Sequence, residues 1–343
     1  MTQNNYNWSS YNLQQIYSEI NITLEGLVGI CTTSSGSTTY LLDMSGYVLI
    51  LSNSNTISTP NFLYSATKVI ENPSPTTNYA YNLISCSSDG QYIIIAYPPS
   101  SQNEFFTYYL SSNSGSSFSQ ITDVSGQTNA PMIQISGNGQ YIGILINTQL
   151  YLSENYGSKF INVSQQITYF AISYSGITFL VYQNNIYNYD YVSESLLLCS
   201  QKSTWPNYGG QPYIDYTGQY FDFFSASTSN IYLNYISTYE ADISAISILD
   251  GIYNTAINNT NNSLGNYLII ALGNNTVLTT TSGPTSFIQE TYFNNKGLII
   301  FVSTNYCDST NQPISVCIGS TSGSQPENIF MFYYGYSNTI SST

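Results

Sequence analysis

The chain predicts an all-β fold, a β-propeller of four-stranded antiparallel blades. Three observations carry this. An anchor of two small polar residues, a glycine and an apolar run with an aromatic recurs seven times, with glycines 44, 49, 37, 42, 47 and 32 residues apart. A second motif, Ser-x-Asn-x-Gly-x-x-Phe, occurs at residues 111–118 and again 42 residues on, at 153–160. No window keeps a 3.6-residue apolar period, apart from a short helix predicted near YNLQQIYSEI. A repeat near 42 residues matches a four-stranded blade, typically about 40–45 residues.

The anchors are SGYVLIL (Gly46), DGQYIIIAY (Gly90), NGQYIGILI (Gly139), SGITFLVY (Gly176), TGQYFDFF (Gly218), LGNYLIIAL (Gly265) and KGLIIFV (Gly297). Each glycine is placed in a tight turn, where positive φ costs it little. The run before it (NLISCS, PMIQIS, TYFAIS, PYIDY) reads as the first strand of a blade, and the run after it as the hairpin partner. Third strands follow at EFFTYYLSS, QLYLS and NIYLNYI, and fourth strands at FSQITDV and FINVSQQI. The boxes fall between the third and fourth. Gly115 comes 25 residues after Gly90 and Gly157 comes 18 after Gly139. Degenerate copies put Gly283 18 residues after Gly265, in TTSGPTSF, and Gly323 26 after Gly297, in STSGSQ. Seven anchors predict seven blades, with six as the alternative because the last spacing is short. Residues 1–24 read as an N-terminal extension and 25–343 as one domain. Its last blade is expected to close by mixing chain ends, with EGLVGICTT (25–33) beside NIFMFYYGY.

Charge is scarce. Asp, Glu, Lys and Arg make up 6% of the 343 residues, against a usual fraction of about 25%. There is no His and no Arg, and the cations are Lys68, Lys159, Lys202 and Lys296. Tyr occurs 35 times. The surface must be built from hydroxyls and amides. Free carboxyls titrate near pH 4, so below about pH 3 the formal charge of −14 collapses toward a small positive value. Such a surface barely changes its solvation in acid. An AT-rich genome would also raise Asn, Ile and Tyr, but it would raise Lys as well, and Lys is nearly absent. The composition resembles that of extracellular proteins of thermoacidophilic archaea and their viruses, and implies an extracellular setting.

The negative balance argues against nucleic acid, since no basic stripe can release counterions from phosphates. It argues equally against anionic membrane surfaces. No apolar run reaches the length that spans a bilayer, so direct membrane insertion is not expected. MTQNNYNWSSYNLQQ lacks the basic and apolar parts of a signal peptide. Either a signal was removed or the protein leaves the cell with a virus particle; virion surface is the expected location.

The box, with Ser111, Asn113, Gly115 and Phe118 in one copy and Ser153, Asn155, Gly157 and Phe160 in the other, resembles the Asp-box, or BNR repeat, of sialidase-like β-propellers. Asn stands in place of Asp and Phe in place of Trp. The resemblance implies a structural hairpin at the blade edge, with Ser and Asn bonding local backbone as Asx-turns do. It also sharpens the argument against catalysis. Sialidases grip a carboxylate with three arginines, whose fork geometry lysine cannot supply, and this chain has none. Without His there is no Ser-His-Asp triad and no imidazole metal site. A paired-carboxylate glycosidase needs only two acids. Asp43 and Asp215 each sit three residues before an anchor glycine, but solvated turn aspartates account for both. Asp190 and Glu194 form another acidic spot without a partner pattern. No catalytic residue, metal site or cofactor is expected.

Binding and assembly remain. Six Asn-x-Ser/Thr sequons, at Asn7, Asn21, Asn162, Asn258, Asn261 and Asn274, are candidate glycosylation sites, with INNTNNSLGN read as a surface insertion. Cys307 and Cys317 flank a turn-rich loop and are a candidate disulfide; Cys31, Cys86 and Cys199 lie in apolar runs and read as buried free thiols. Trp205 and Tyr208, in KSTWPNYGGQPY, are candidate ligand-binding aromatics for sugars or protein anchors; tucking over a blade edge is the competing reading. The expected partners are other virion or surface-layer proteins and host glycans. The expected role is non-enzymatic: attachment or capsid decoration on a virus of a thermoacidophile. A secreted or surface-layer adhesion propeller is the alternative, and a carboxylate-based glycosidase the second alternative.

Overall fold

The computed structural model describes residues 9–22, 27–33, 37–53, 62–70, 82–99, 105–124, 131–163, 165–182 and 185–201, and beyond these the strands alone. Side chains are described for most of these residues as far as Cys199. The chain begins with β1 (Ser9–Asn12) and α1 (Leu13–Glu19). The first sheet contains β2 (Leu27–Thr32), β3 (Thr38–Asp43), β4 (Tyr47–Asn53) and β5 (Phe62–Lys68). The second contains β6 (Ile84–Cys86), β7 (Ile93–Tyr97), β8 (Thr107–Ser111) and β9 (Ser119–Ile121). The third contains β10 (Met132–Ile135), β11 (Ile142–Ile146), β12 (Gln149–Ser153) and β13 (Ile161–Val163). The fourth contains β14 (Tyr169–Ile172), β15 (Thr178–Tyr182), β16 (Asn185–Asp190) and β17 (Ser195–Gln201). The fifth contains β18 (Tyr213–Ile214), β19 (Tyr220–Ser225), β20 (Asn230–Ile236) and β21 (Ala241–Ser247). The sixth contains β22 (Asn254–Asn259), β23 (Tyr267–Gly273), β24 (Thr276–Thr280) and β25 (Ile288–Gln289). The last contains β26 (Leu298–Thr304), β27 (Ile314–Ser322) and β28 (Gln325–Tyr334), with β1 on its free side.

Among the described residues the strands therefore form seven four-stranded antiparallel sheets, six of them simple meanders. Their first strands make the inner circuit. β2 touches β6, and contact passes through β10, β14, β18 and β22 to β26, which returns to β2. Neighbouring sheets bury both faces of the first and second strands, which explains their largely continuous rather than alternating apolar pattern. Every residue of β2, β7 and β11 is buried. The outer strand β9 has two exposed residues and one intermediate. The core lies between sheets. One cluster joins Val28 and Tyr40 of the first sheet to Ile93 and Tyr108 of the second and Ile144 of the third. Another joins Leu150 of the third to Phe170 and Leu180 of the fourth. Each such side chain, fully buried, contributes about 1.5–3 kcal/mol.

Neutral amides hold inner strands together. Asn82 accepts the Ile30 N–H at 2.8 Å and donates to the Ile30 carbonyl at 2.7 Å. Gln134 Oε1 accepts the Ile172 N–H at 2.9 Å. Both amides pair a buried backbone group without placing a charge in the core.

The closing strand corrects the expectation from the sequence. Of the stretch 25–33, the described strand Leu27–Thr32 does not pair with the C-terminal strand. Ser9–Asn12 does, with Ser9 opposite Met331 and Asn12 opposite Asn328. Leu27–Thr32 instead opens the first sheet against β3. Part of the presumed extension is thus a sheet strand. An all-buried run such as LVGICT suits an inner position, whereas the polar SSYN suits a rim.

Candidate interaction face

The glycine anchors and the boxes form one repeated surface unit. In the second sheet, residues 87–92 join β6 to β7. The Ser87 N–H bonds the Tyr92 carbonyl at 2.9 Å, and the Tyr92 N–H bonds Ser87 Oγ at 3.0 Å. Asp89 Oδ1 accepts the Ser87 hydroxyl at 2.6 Å and the Gln91 N–H at 2.9 Å. The third sheet repeats this with Asn138 in the place of Asp89, accepting the Ser136 hydroxyl at 2.6 Å and the Gln140 N–H at 3.1 Å. The fourth keeps Ser173, whose Oγ accepts the Ile177 N–H at 3.0 Å.

The boxes turn the chain between third and fourth strands. Ser111 Oγ accepts the Gly115 N–H at 2.9 Å and donates to Asn113 Oδ1, which also accepts the Ser117 N–H. Ser153 Oγ accepts the Gly157 N–H at 3.0 Å and donates to Asn155 Oδ1, which accepts the Lys159 N–H. Both serines are buried. Phe160 is buried and Phe118 partly so, each against the core. The box is tied to the turn of its own sheet. The Ser114 N–H reaches the Gln91 carbonyl at 3.0 Å, and the Tyr156 N–H the Gln140 carbonyl at 2.9 Å. A meander returns to the same end after every second strand, so the two motifs meet there.

Successive units are also linked. The Ser88 N–H donates to the Gly137 carbonyl at 2.8 Å, and the Asn138 N–H to that of Tyr174 at 3.3 Å. Among the described residues, Tyr92 and Tyr141 of the Gly-Gln-Tyr copies each lie on the next sheet's glycine. A Cβ on Gly139 would stand 2.5 Å from Tyr92, and one on Gly176 2.0 Å from Tyr141. Tyr92 stacks near Tyr156 with centroids 4.9 Å apart and planes at 31°. Tyr141 and Tyr191 lie 4.7 Å apart, and Tyr191 shares a 2.7 Å hydroxyl contact with Thr178. Burial, partly offset by that contact, pushes the Tyr191 hydroxyl up. Burial first, then the nearby carboxylates of Glu194, Glu154 and Asp190, push the Tyr189 hydroxyl up. The face therefore presents hydroxyls, amides and ring faces; Tyr156 is 44% exposed. Its chemistry suits neutral hydrogen bonding and stacking.

Several sequence-predicted residues fall elsewhere. Gly46 does not share the phase of Gly90, Gly139 and Gly176. It lies between the second and third strands of its sheet, where its N–H bonds the Asp43 carbonyl at 3.1 Å. The equivalent turn is residues 33–38, closed by the Thr33 N–H on the Thr38 carbonyl at 2.9 Å. Its glycine, Gly36, is followed by three polar residues, Ser37, Thr38 and Thr39, before the apolar run begins, so it does not match the anchor pattern. Gly297 precedes β26 in the chain and Gly323 falls between β27 and β28, and both lie outside the described residues. Gly218 and Gly265 fall between first and second strands, and Gly283 between third and fourth; these positions lie outside the described residues. Asp43 is buried and accepts bonds from the Ser45 backbone N–H and hydroxyl. Asp215 lies outside the described residues. Asp190 closes its own turn, accepting the Val192 N–H and the Ser193 hydroxyl. The bond from Ser193, then that from Val192, holds its carboxyl below the ordinary value.

Among the sequons, Asn21 ends α1 in an exposed left-handed turn at φ 56°, which Asn tolerates. Asn162 is exposed on β13. Asn258 is not in a loop but in β22, opposite Leu268. A short strand motif hidden in an Asn-rich run left no other signal. Asn7, Asn261 and Asn274 lie outside the described residues, as do Trp205, Tyr208 and Cys307. Cys317 lies in β27, between Ser303 and Met331. Cys31, Cys86 and Cys199 are buried, and burial pushes the Cys199 thiol up.

No protein-family model matches the chain, and none of the curated proteins matches it. Solved structures do. YCF48 bound to D1 peptide is similar with a TM-score of 0.60 at 12% identity, over 96% of this chain and 98% of that one. YCF48 from Cyanidioschyzon merolae gives 0.56 at 12% identity, over 95% and 98%. The structure of U3-55K gives 0.58 at 8% identity, over 90% and 95%. At these identities the likeness is one of fold. With the seven four-stranded sheets and the inner circuit, it makes the chain a β-propeller built of four-stranded antiparallel blades.

Proposed function

We propose that this chain is a non-enzymatic interaction propeller, seven-bladed and closed by β1, that binds other proteins through its charge-poor surface. The observation that carries the reading is the chemistry of the repeated face. Its polar side chains hold turns together, and Asn138 does for one blade what Asp89 does for another. Such a face offers neutral contacts that acid does not rewrite. A similarly folded protein solved with a D1 peptide supports a peptide or protein partner. The corners are Asp-box-type hairpins with a structural role.

The setting proposed is outside the cell, as an attachment or decoration component of a particle from an acidic habitat; the scarcity of charge and the lack of Arg and His support it. The test is cross-linking mass spectrometry on native cells, medium and particles. Cross-links to a second protein at fixed stoichiometry in the particle fraction are the expected result. Recovery from cell envelopes alone would move the role to a surface-layer or adhesion propeller. Recovery only as uncross-linked protein would refute the interaction reading.

A further inference from the structure

The outer strands of the first four sheets are not alike. Natural proteins protect such edges by keeping them short or charged. β9 and β13 have three residues each and expose Ser119, Gln120 and Asn162. β5 has seven residues and exposes Leu63, but it ends in an exposed Lys68, 5.8 Å from the Tyr47 ring centroid, so its edge carries a charge. β17 also has seven, Ser195–Gln201, with no Asp, Glu or Lys, and it holds three consecutive leucines. Leu197 is 49% and Leu198 42% exposed, and Val192 in the preceding turn is 96% exposed. Its inner side pairs with β16, while its outer side is the sheet edge. Leu198, Leu197, Leu196 and Ser195 stand regularly opposite Tyr187, Asn188, Tyr189 and Asp190, and the pairing shifts only beyond them, at Cys199. A straight ladder of N–H and C=O groups flanked by apolar side chains thus faces outward.

We propose that β17 is a self-association edge, occupied by β17 of a second copy of this chain. Two antiparallel edges related by a two-fold axis present the same patch to each other. With Leu197 opposite its own counterpart, Leu196 faces Leu198 and Ser195 faces Cys199, so every pair is neutral. Copies of a chain of formal charge −14 repel one another overall, and least where a strip carries no charge. An uncharged strip is where it can touch itself, and β17 is such a strip. The inference goes beyond the partner proposed above and is read on purified protein.

The test is sedimentation equilibrium of the full chain from micromolar to millimolar concentration, with two variants. Leu197→Lys puts like charges opposite each other at the two-fold axis, and Ser119→Lys puts the same charge on the outer edge of another blade. The expected result is a dimer for the unaltered chain and for Ser119→Lys, and association weakened at least about tenfold for Leu197→Lys. The unaltered chain also serves alone: hydrogen exchange at residues 195–198 should slow as concentration rises. A monomer throughout the series, a dimer indifferent to Leu197→Lys, or exchange at 195–198 unchanged by concentration would each overturn the proposal.

Discussion

Replacing Gly139 by Ala tests the seam between blades. Two costs arise at this position. The residue has φ +77°, in the left-handed region, where a Cβ costs about 1–2 kcal/mol. The new Cβ would also stand 2.5 Å from Tyr92 Cδ2, 3.0 Å from Cγ and 3.3 Å from Cβ. Tyr92 is confined by Tyr156 at 4.9 Å, so relief requires a ring shift, an overpacking cost of about 1–3 kcal/mol. Together these predict a destabilisation of about 2–5 kcal/mol. Urea unfolding followed by circular dichroism would measure it. A double-mutant cycle separates the terms. With Tyr92→Ala in the background, most of the clash is gone and only the backbone cost remains, so the two substitutions should fall short of additivity by about 1–3 kcal/mol. Additive effects, or a Gly139→Ala protein within about 0.5 kcal/mol of the original, would refute the account of the motif as an inter-blade contact.

The boxes and turns make further predictions. Ser153→Ala leaves the Gly157 N–H without its buried acceptor and should cost about 1–3 kcal/mol in the same unfolding assay. Asp89→Asn should change stability by less than about 0.5 kcal/mol, because Asn138 already fills the equivalent position with the same two bonds. Acid should matter little. The carboxyl of Asp190 lies low when folded, so its contribution is present above the ordinary carboxyl value and is lost as pH falls through the lowered one. Calorimetry between pH 7 and pH 2 should show a small change, and Asp190→Asn should reduce it. Alkali should matter more. Burial raises the hydroxyls of Tyr40 and Tyr108, and Tyr40 also donates to the Gly90 carbonyl. The unfolded chain ionises near pH 10 while these two resist, so stability is full below that value and falls above it, by about 1.4 kcal/mol per pH unit for each tyrosine. Urea midpoints from pH 9 to 11, read beside tyrosinate absorbance, should show that slope.

What the sequence by itself determined is local. Strand alternation, turn residues and the 42-residue rhythm come from contacts between near neighbours in the chain. Gly90, Gly139 and Gly176 were therefore legible as turn glycines, and Ser111–Phe118 and Ser153–Phe160 as self-bonded corners. Only the tertiary structure decided whatever depends on residues far apart. Gly46 sits near the right spacing but in another turn, because phase is set by strand pairing and not by distance along the chain. SSYN, rather than EGLVGICTT, closes the last sheet because pairing with β28 joins residues more than 300 positions apart, a contact no local pattern encodes. The same holds for the seams. That Tyr92 needs a glycine at 139, and that Leu197 and Leu198 stay open at the rim, follows from how one sheet stacks on the next. Packing across sheets assigns those side chains their surroundings, and with them whatever the propeller binds.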